Sequence, residues 1–312
     1  MKNAFLSLCL LLIAQGLLAQ QPSTGLYFVY FKDKDVRQSP IADFHPKALD
    51  RRAKSGIAFP MLEDYPVTPA YLQMVGDQVQ DARHALRWLN ALSVEATAEQ
   101  VENVKRLPFV ASVEPFEDLQ VELAAEDGAM TTDKESDSLQ YHRLFQHQRA
   151  AVGMPLIEQM GLSGKGLRIA VFDAGFSGVD THPAFAHLRE KGQIKATQNF
   201  VNGREHVYGF SGHGTAVLSC IGGLYEGQRI GAAVDAEFIL ARTEIGLREV
   251  RSEEDNWLAA MEWADRQGAD IISSSLGYSK PRYVYADMTG QKTLVTRAAA
   301  MAARKGILVV NS

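Results

Sequence analysis

The stretch Gly166-Leu167-Arg168-Ile169-Ala170-Val171-Phe172-Asp173-Ala174-Gly175 carries an apolar run that closes on one carboxylate and a small-residue corner. A strand with one wet face alternates polar and apolar residues. The run from Leu167 to Asp173 does not, which predicts a strand covered on both sides, as in a parallel sheet. Downstream the pattern alternates: helix Gly214–Gly222, strand Glu237–Arg242, helix Glu253–Gln267, strand Asp270–Ser275, helix Gln291–Arg304 and strand Ile307–Val310. Pro155–Met160 upstream reads as a short helix. This order predicts an α/β unit over residues 141–312, a parallel sheet with helices on both faces. Ser252 reads as the N-cap of the helix from Glu253, with Asp255 three places on and Gly268 as its stop.

Residues 20–116 have a different texture. Leu26–Phe31 reads as a strand, Pro46–Lys54 as a helix with proline in its first turn, Tyr71–Val75 as a short helix and Val79–Glu95 as a hairpin. Thr97 caps a helix through Leu107, Gln100 completes a capping box, and Phe109–Val113 follows as a strand. Together these predict a small α+β domain. Between the two units, over 117–140, eight acidic residues face the single Lys134 with little apolar material, the composition of an exposed linker open to proteolysis. Residues 1–19, with Lys2, an apolar run from Ala4 to Ile13 and small residues at Gly16 and Ala19, read as a signal peptide cut after Ala19. The apolar run is short for a membrane span, so the expected location is secreted or periplasmic.

The bulk numbers, 46% apolar and 22% charged residues with net charge -5, describe ordinary globular material. Without a basic stripe to neutralise phosphates, nucleic acid is not an expected partner. Cys9 falls in the signal peptide, so Cys220 is alone in the processed chain and no intrachain disulfide can form. Its apolar neighbours Val217 and Leu218 suggest a small buried hydrophobe.

Parallel sheets bind ligands at the carboxyl ends of their strands. Asp173 ends its strand there, and Ala174-Gly175 lets the chain turn sharply beside it. His213 lies between Gly212 and Gly214 at the start of a helix, 213 − 173 = 40 residues away, so only the fold can bring the two together. Three segments carry a resemblance: residues 166–175, Gly212-His213-Gly214-Thr215, and Asp270-Ile271-Ile272-Ser273-Ser274-Ser275-Leu276-Gly277. On these, with Asp preceding His, residues 141–312 resemble the first half of a subtilisin-like serine peptidase (subtilase) domain. Ala174 departs from the family's usual Ser or Thr but removes no triad atom.

The resemblance implies that Asp173 and His213 are the acid and base of a triad, and that Ser275, Leu276 and Gly277 line the cleft, their backbone pairing with a peptide substrate. It also implies polypeptide substrates and no cofactor. Residues 25–116, best over Thr97–Phe116, resemble the family's propeptide, an intramolecular partner to be removed by a cut in the acidic linker. The family's Gly-Thr-Ser-x-Ala-x-Pro nucleophile segment and Ala-Gly-Asn oxyanion segment do not occur in the 312 residues. Asn311 precedes the place where the latter would begin, and Ser219 reads as a packing residue on the histidine's helix. The expectation is therefore the amino-terminal part of a longer reading frame.

One rival reading is a catalytically inactive peptide-binding or inhibitory protein. A second, a nucleotide-binding enzyme using Asp173 on a ribose, lacks a phosphate loop, because Gly161–Gly166 precedes its strand. His182 and His206 are candidates to join His213 around a metal, but neither a His-Glu-x-x-His pattern, a cysteine pair nor a twelve-residue calcium loop is present, so no metal is expected.

Overall fold

The structure, a computed structural model, describes residues 23–37, 39–41, 43–115, 121–122, 137–245, 248–249, 252–277, 283–287 and 289–312. The expected signal peptide and most of the acidic stretch lie outside the described residues. The amino-terminal unit contains β1 (Thr24–Phe31), α1 (Pro46–Lys54), α2 (Pro69–Gly76), β2 (Asp81–Leu86), β3 (Ala91–Thr97), α3 (Ala98–Lys105) and β4 (Val110–Pro115). Its strands form an antiparallel sheet in the order β2-β3-β1-β4. The capping box is present: Gln100 N donates to Thr97 Oγ1 and Thr97 N donates to Gln100 Oε1.

Within the acidic stretch, β5 (Val121–Glu122) is followed after a gap by α4 (Asp137–Ala151), so residues 137–140 belong to a helix that the charge count concealed. The second unit continues with α5 (Met154–Gln159), β6 (Arg168–Asp173), α6 (Ala186–Glu190), β7 (Ile194–Asn199), α7 (His213–Gly222), β8 (Leu224–Tyr225), β9 (Gln228–Arg229) and β10 (Glu237–Arg242). It ends with β11 (Arg248–Glu249), α8 (Ser252–Arg266), β12 (Ile271–Ser274), α9 (Leu294–Arg304) and β13 (Leu308–Asn311). Five strands form the parallel sheet β13-β12-β6-β10-β7. Ser252, expected as a cap, is the first helical residue of α8.

All six residues of β6 are buried, and they serve two cores. Ala170 and Phe172 face one side with Ile239, Ala241, Trp257, Met261 and Met301, beneath α8 and α9. Ile169 and Val171 face the other with Phe238, Leu240, Leu218 and Leu188, beneath α6 and α7. The period of two along a strand produces this division. The first core also takes in Phe28, Leu86, Trp88 and Ala91, so α8 and α9 are sandwiched between the two sheets. Val29 and Phe31 point the opposite way, into a separate small core with Val94, Val101 and Val104.

Cys220 corrects an expectation, because it is exposed. The buried row of α7 is Gly214, Leu218 and Gly222. At roughly 100° per residue, position 220 falls about 200° from Leu218, on the opposite side of the helix.

The two units are joined by buried charge. Asp265 on α8 accepts from Arg51 Nη2 (2.6 Å), Arg52 Nη2 (2.9 Å to Oδ2) and Arg87 Nη2 (3.0 Å). Arg52 also forks onto Asp64 at 2.6 and 2.9 Å, and Lys305 Nζ reaches Asp64 at 3.1 Å. Burial alone would raise the pKa of Asp64, but hydrogen bonds from Arg52 and the Met61 N–H, with the charges of Lys305 and Arg52, outweigh it and hold the carboxyl at about 2. A carboxyl depressed in the folded state stabilises above its unfolded pKa of about 3.9 and loses that contribution as pH falls toward 2. Acid titration of urea stability should therefore lose about 2 kcal/mol from this group between pH 5 and 2, and Asp64→Asn should flatten that part of the curve. An unaltered curve in the variant would contradict the assignment.

Candidate active site

Asp173 closes β6, opposite Arg242 at the end of β10. Beyond that pair the ladder is continued by Thr243 N, which donates to Asp173 O at 3.0 Å, and by the side chain of Arg242, whose Nε donates to Ala174 O at 2.9 Å. The Asp173 carboxylate is fully buried and accepts from the Ala174 N–H at 2.8 Å. Burial pushes its pKa up, opposed by the hydrogen bond and charge of His213 and by the N–H groups of Ala174 and Gly214.

His213 is the first residue of α7, and its N–H donates to Ser211 Oγ at 3.1 Å, which satisfies one free amide of the helix start. Its Nδ1 lies 3.0 Å from Asp173 Oδ1 and 2.9 Å from Oδ2. A carboxylate can only accept, so Nδ1 carries the proton and Nε2 is the nitrogen left for proton transfer. The imidazole side chain is 55% exposed while its partner is wholly enclosed, the arrangement required of a base that meets a substrate and an acid that orients it.

Two glycines make the approach possible. A Cβ on Gly214 would stand 2.4 Å from Gly175 O and 2.8 Å from Asp173 Cβ. One on Gly175 would stand 2.2 Å from Gly209 O and 2.6 Å from Ser211 N. The glycines flanking the two polar residues in sequence are thus the contact surface between the end of β6 and the start of α7.

Ser275, Leu276 and Gly277 follow β12 past its carboxyl end, on the same rim as Asp173. The Leu276 side chain is buried in the core beneath α8 and Gly277 is exposed. Asn311, the last residue of β13, is paired with Ser274 of β12. Ser219 Oγ donates to Ala216 O at 2.7 Å on α7, and its six-residue separation from His213 is about 9 Å along the helix axis, beyond hydrogen-bond reach. His182 accepts from Ala184 N as a local cap, and His206 lies against Tyr208 and Phe210.

Arg242 also supports the site. It is buried, with its guanidinium carbon 3.9 Å from the centre of the exposed Phe210 ring, and Phe210 has φ +72°. The local sign in the sequence is a cation closing the apolar run Phe238–Ala241.

Both units of the chain are similar to known proteins. Residues 164–312 match the description "Subtilase family", and residues 26–134 match "Peptidase S8 propeptide domain, Bacteroidota". The alkaline protease of Alkalihalobacillus alcalophilus is 26% identical over 230 residues, covering 73% of this chain and 49% of that protein. The human membrane-bound transcription factor site-1 protease is 34% identical over 119 residues, covering 38% of this chain and 10% of that protein. The chain therefore spans about half the length of the first of these relatives. The crystal structure of fervidolysin from Fervidobacterium pennivorans, a keratinolytic enzyme related to subtilisin, shares the fold with a TM-score of 0.51 at 17% identity, over 95% of this chain and 40% of that one.

Proposed function

Since the chain belongs to the subtilase family, with a peptidase S8 propeptide domain ahead of its catalytic domain, we propose that it supplies the acid and base of an exported serine endopeptidase acting on polypeptides. The observation that carries this is the doubly placed Nδ1 of His213 on the enclosed carboxylate of Asp173. His213 Nε2 takes the proton of a serine hydroxyl as it attacks the peptide carbonyl and returns it to the leaving amine. Asp173 holds the ring's tautomer and offsets the imidazolium charge. The serine and the oxyanion donor belong to family segments absent from these 312 residues. Ser275, Leu276 and Gly277 present backbone to the substrate.

The strand that follows the propeptide domain is held near the same rim. β11 lies in the connection after β10, beyond the carboxyl end of the sheet, and pairs antiparallel with β5, with Arg248 opposite Glu122 and Glu249 opposite Val121. The chain that leaves the amino-terminal unit is thereby added as a strand to the catalytic unit, the way an extended peptide is held. We place the processing cut in the acidic stretch after Glu122, because paired backbone resists a protease. Residues 1–19 would direct export and be removed in the course of it.

A fluorophosphonate probe tests the division of labour. The 312-residue chain should remain unlabelled, while the protein extended through the family's Gly-Thr-Ser segment should label stoichiometrically at that serine and release a propeptide ending beyond Glu122. Stoichiometric labelling of the shorter chain would reveal a nucleophile elsewhere. An unlabelled and unprocessed extended protein would favour the inactive, peptide-binding reading.

A further inference from the structure

Asn256 stands between the propeptide domain and the catalytic acid. It lies in α8, 1% exposed, and makes hydrogen bonds in two directions. Toward the propeptide, its Oδ1 accepts from Arg83 Nη2 at 3.2 Å and meets His84 Nε2 at 2.9 Å, both on β2. Toward the sheet, its Nδ2 donates to Thr243 O at 3.0 Å. These partners fix the amide orientation, since arginine can only donate and a carbonyl can only accept. They also fix the His84 tautomer, with the proton on Nε2. Arg83 is held in turn by Asp255 at 3.0 Å.

Thr243 is the residue whose N–H donates to Asp173 O at 3.0 Å. It is fully buried, and among the described residues its own hydroxyl has no hydrogen-bond partner, so it is fixed through its backbone, by Asn256 on one side and Asp173 on the other. A continuous path of hydrogen bonds thus runs from Arg83 and His84, through Asn256 and Thr243, to the backbone of the acid. It approaches the acid at the point where β10 ends and no further strand residue is available to hold the turn.

We infer that Asn256 is a positioning residue through which docking of the propeptide domain aligns Asp173 for its partner His213. The inference rests on reading Asp173 and His213 as the acid–base pair. A propeptide domain seated on α8 supplies two donors to Oδ1, restrains the amide, and through it restrains the corner that aims the carboxylate. Once that domain leaves, Asn256 keeps its donor to Thr243 but loses both opposing restraints.

Amide hydrogen exchange of the whole 312-residue chain tests this, with the His213 Nδ1 proton resonance as a second readout. Asn256→Asp keeps an acceptor for Arg83 and His84 but removes the donor to Thr243. It should speed exchange of the Thr243 and Ala174 amides about tenfold and shift the His213 resonance, leaving Val29 and Leu92 in the propeptide core unchanged. His84→Phe keeps bulk and removes one donor. It should speed the same two amides about threefold, although His84 touches neither. Unchanged amides in Asn256→Asp overturn the inference, as does a uniform acceleration that includes Val29 and Leu92. A response to Asn256→Asp without any response to His84→Phe overturns the link to the propeptide. Failure of the peptidase reading would be registered separately, as an extended protein that neither labels nor cleaves while this exchange pattern persists.

Discussion

Replacing His213 by alanine in the protein extended to its nucleophile segment should lower kcat/KM for peptide hydrolysis by roughly 10⁴- to 10⁶-fold, and should stop release of the propeptide in the same preparation. The size follows from the geometry. Nε2 is the ring nitrogen left after Nδ1 is committed to Asp173, and a serine hydroxyl deprived of that base is a weak nucleophile at neutral pH. Residual hydrolysis should remain above the uncatalysed rate, because oxyanion stabilisation and substrate binding survive the substitution. Circular dichroism and thermal unfolding should be close to wild type, since the side chain is 55% exposed and its removal opens no core cavity. Processing at the wild-type rate in His213→Ala would overturn the assignment of the base.

The second large effect belongs to Asp265. Asp265→Asn preserves volume but withdraws the paired counter-charge of Arg51 and one of those held by Arg52 and Arg87, which keep Asp64 and Glu262; the three side chains are 1 to 6% exposed. Breaking a buried pair from one side leaves an uncompensated charge and costs about 3–5 kcal/mol. Here one carboxylate faces three guanidiniums, two from α1 and one from the turn after β2, so the loss falls on the join between the two units. Urea unfolding should show the propeptide domain separating at lower denaturant than the parallel sheet. The exposed pair Lys105–Glu102, at 2.8 Å, serves as control, since removing it should change stability by no more than about 1 kcal/mol. A change of that small size at Asp265 would mean that water reaches the arginines.

Much of this was legible in the residues. The run into Asp173 announced a strand covered twice, and the glycines around His213 announced a crowded corner, because close packing and backbone turns leave local marks. Elements whose stability comes from elsewhere left weaker marks. β7 contains Lys195, Thr197 and Gln198 and is a sheet edge with little apolar pattern to read. β5 lies in a run of acids, where backbone pairing with β11 decides the conformation and side-chain composition says little. The first turn of α4 is rich in polar residues, so charge counting assigned it to the linker. Asp265 and Arg51 are 214 residues apart, and no local pattern in α8 reveals which of its acids meets an arginine. Separation in sequence likewise hid Arg242 and Asn256 as supports of Asp173.

The row of acids on α8 has one more implication. Glu262 and Asp265 lie on that helix as a negative stencil, matched cation for anion by the guanidiniums of the domain above and, at Glu262, by the Arg87 and Trp88 amides. A foreign propeptide of the same shape but without arginines at those places would seat carboxylates against bare carbonyls and hydrocarbon. The surface of α8 therefore selects by charge as well as by shape, favouring the domain that carries those arginines over one that lacks them.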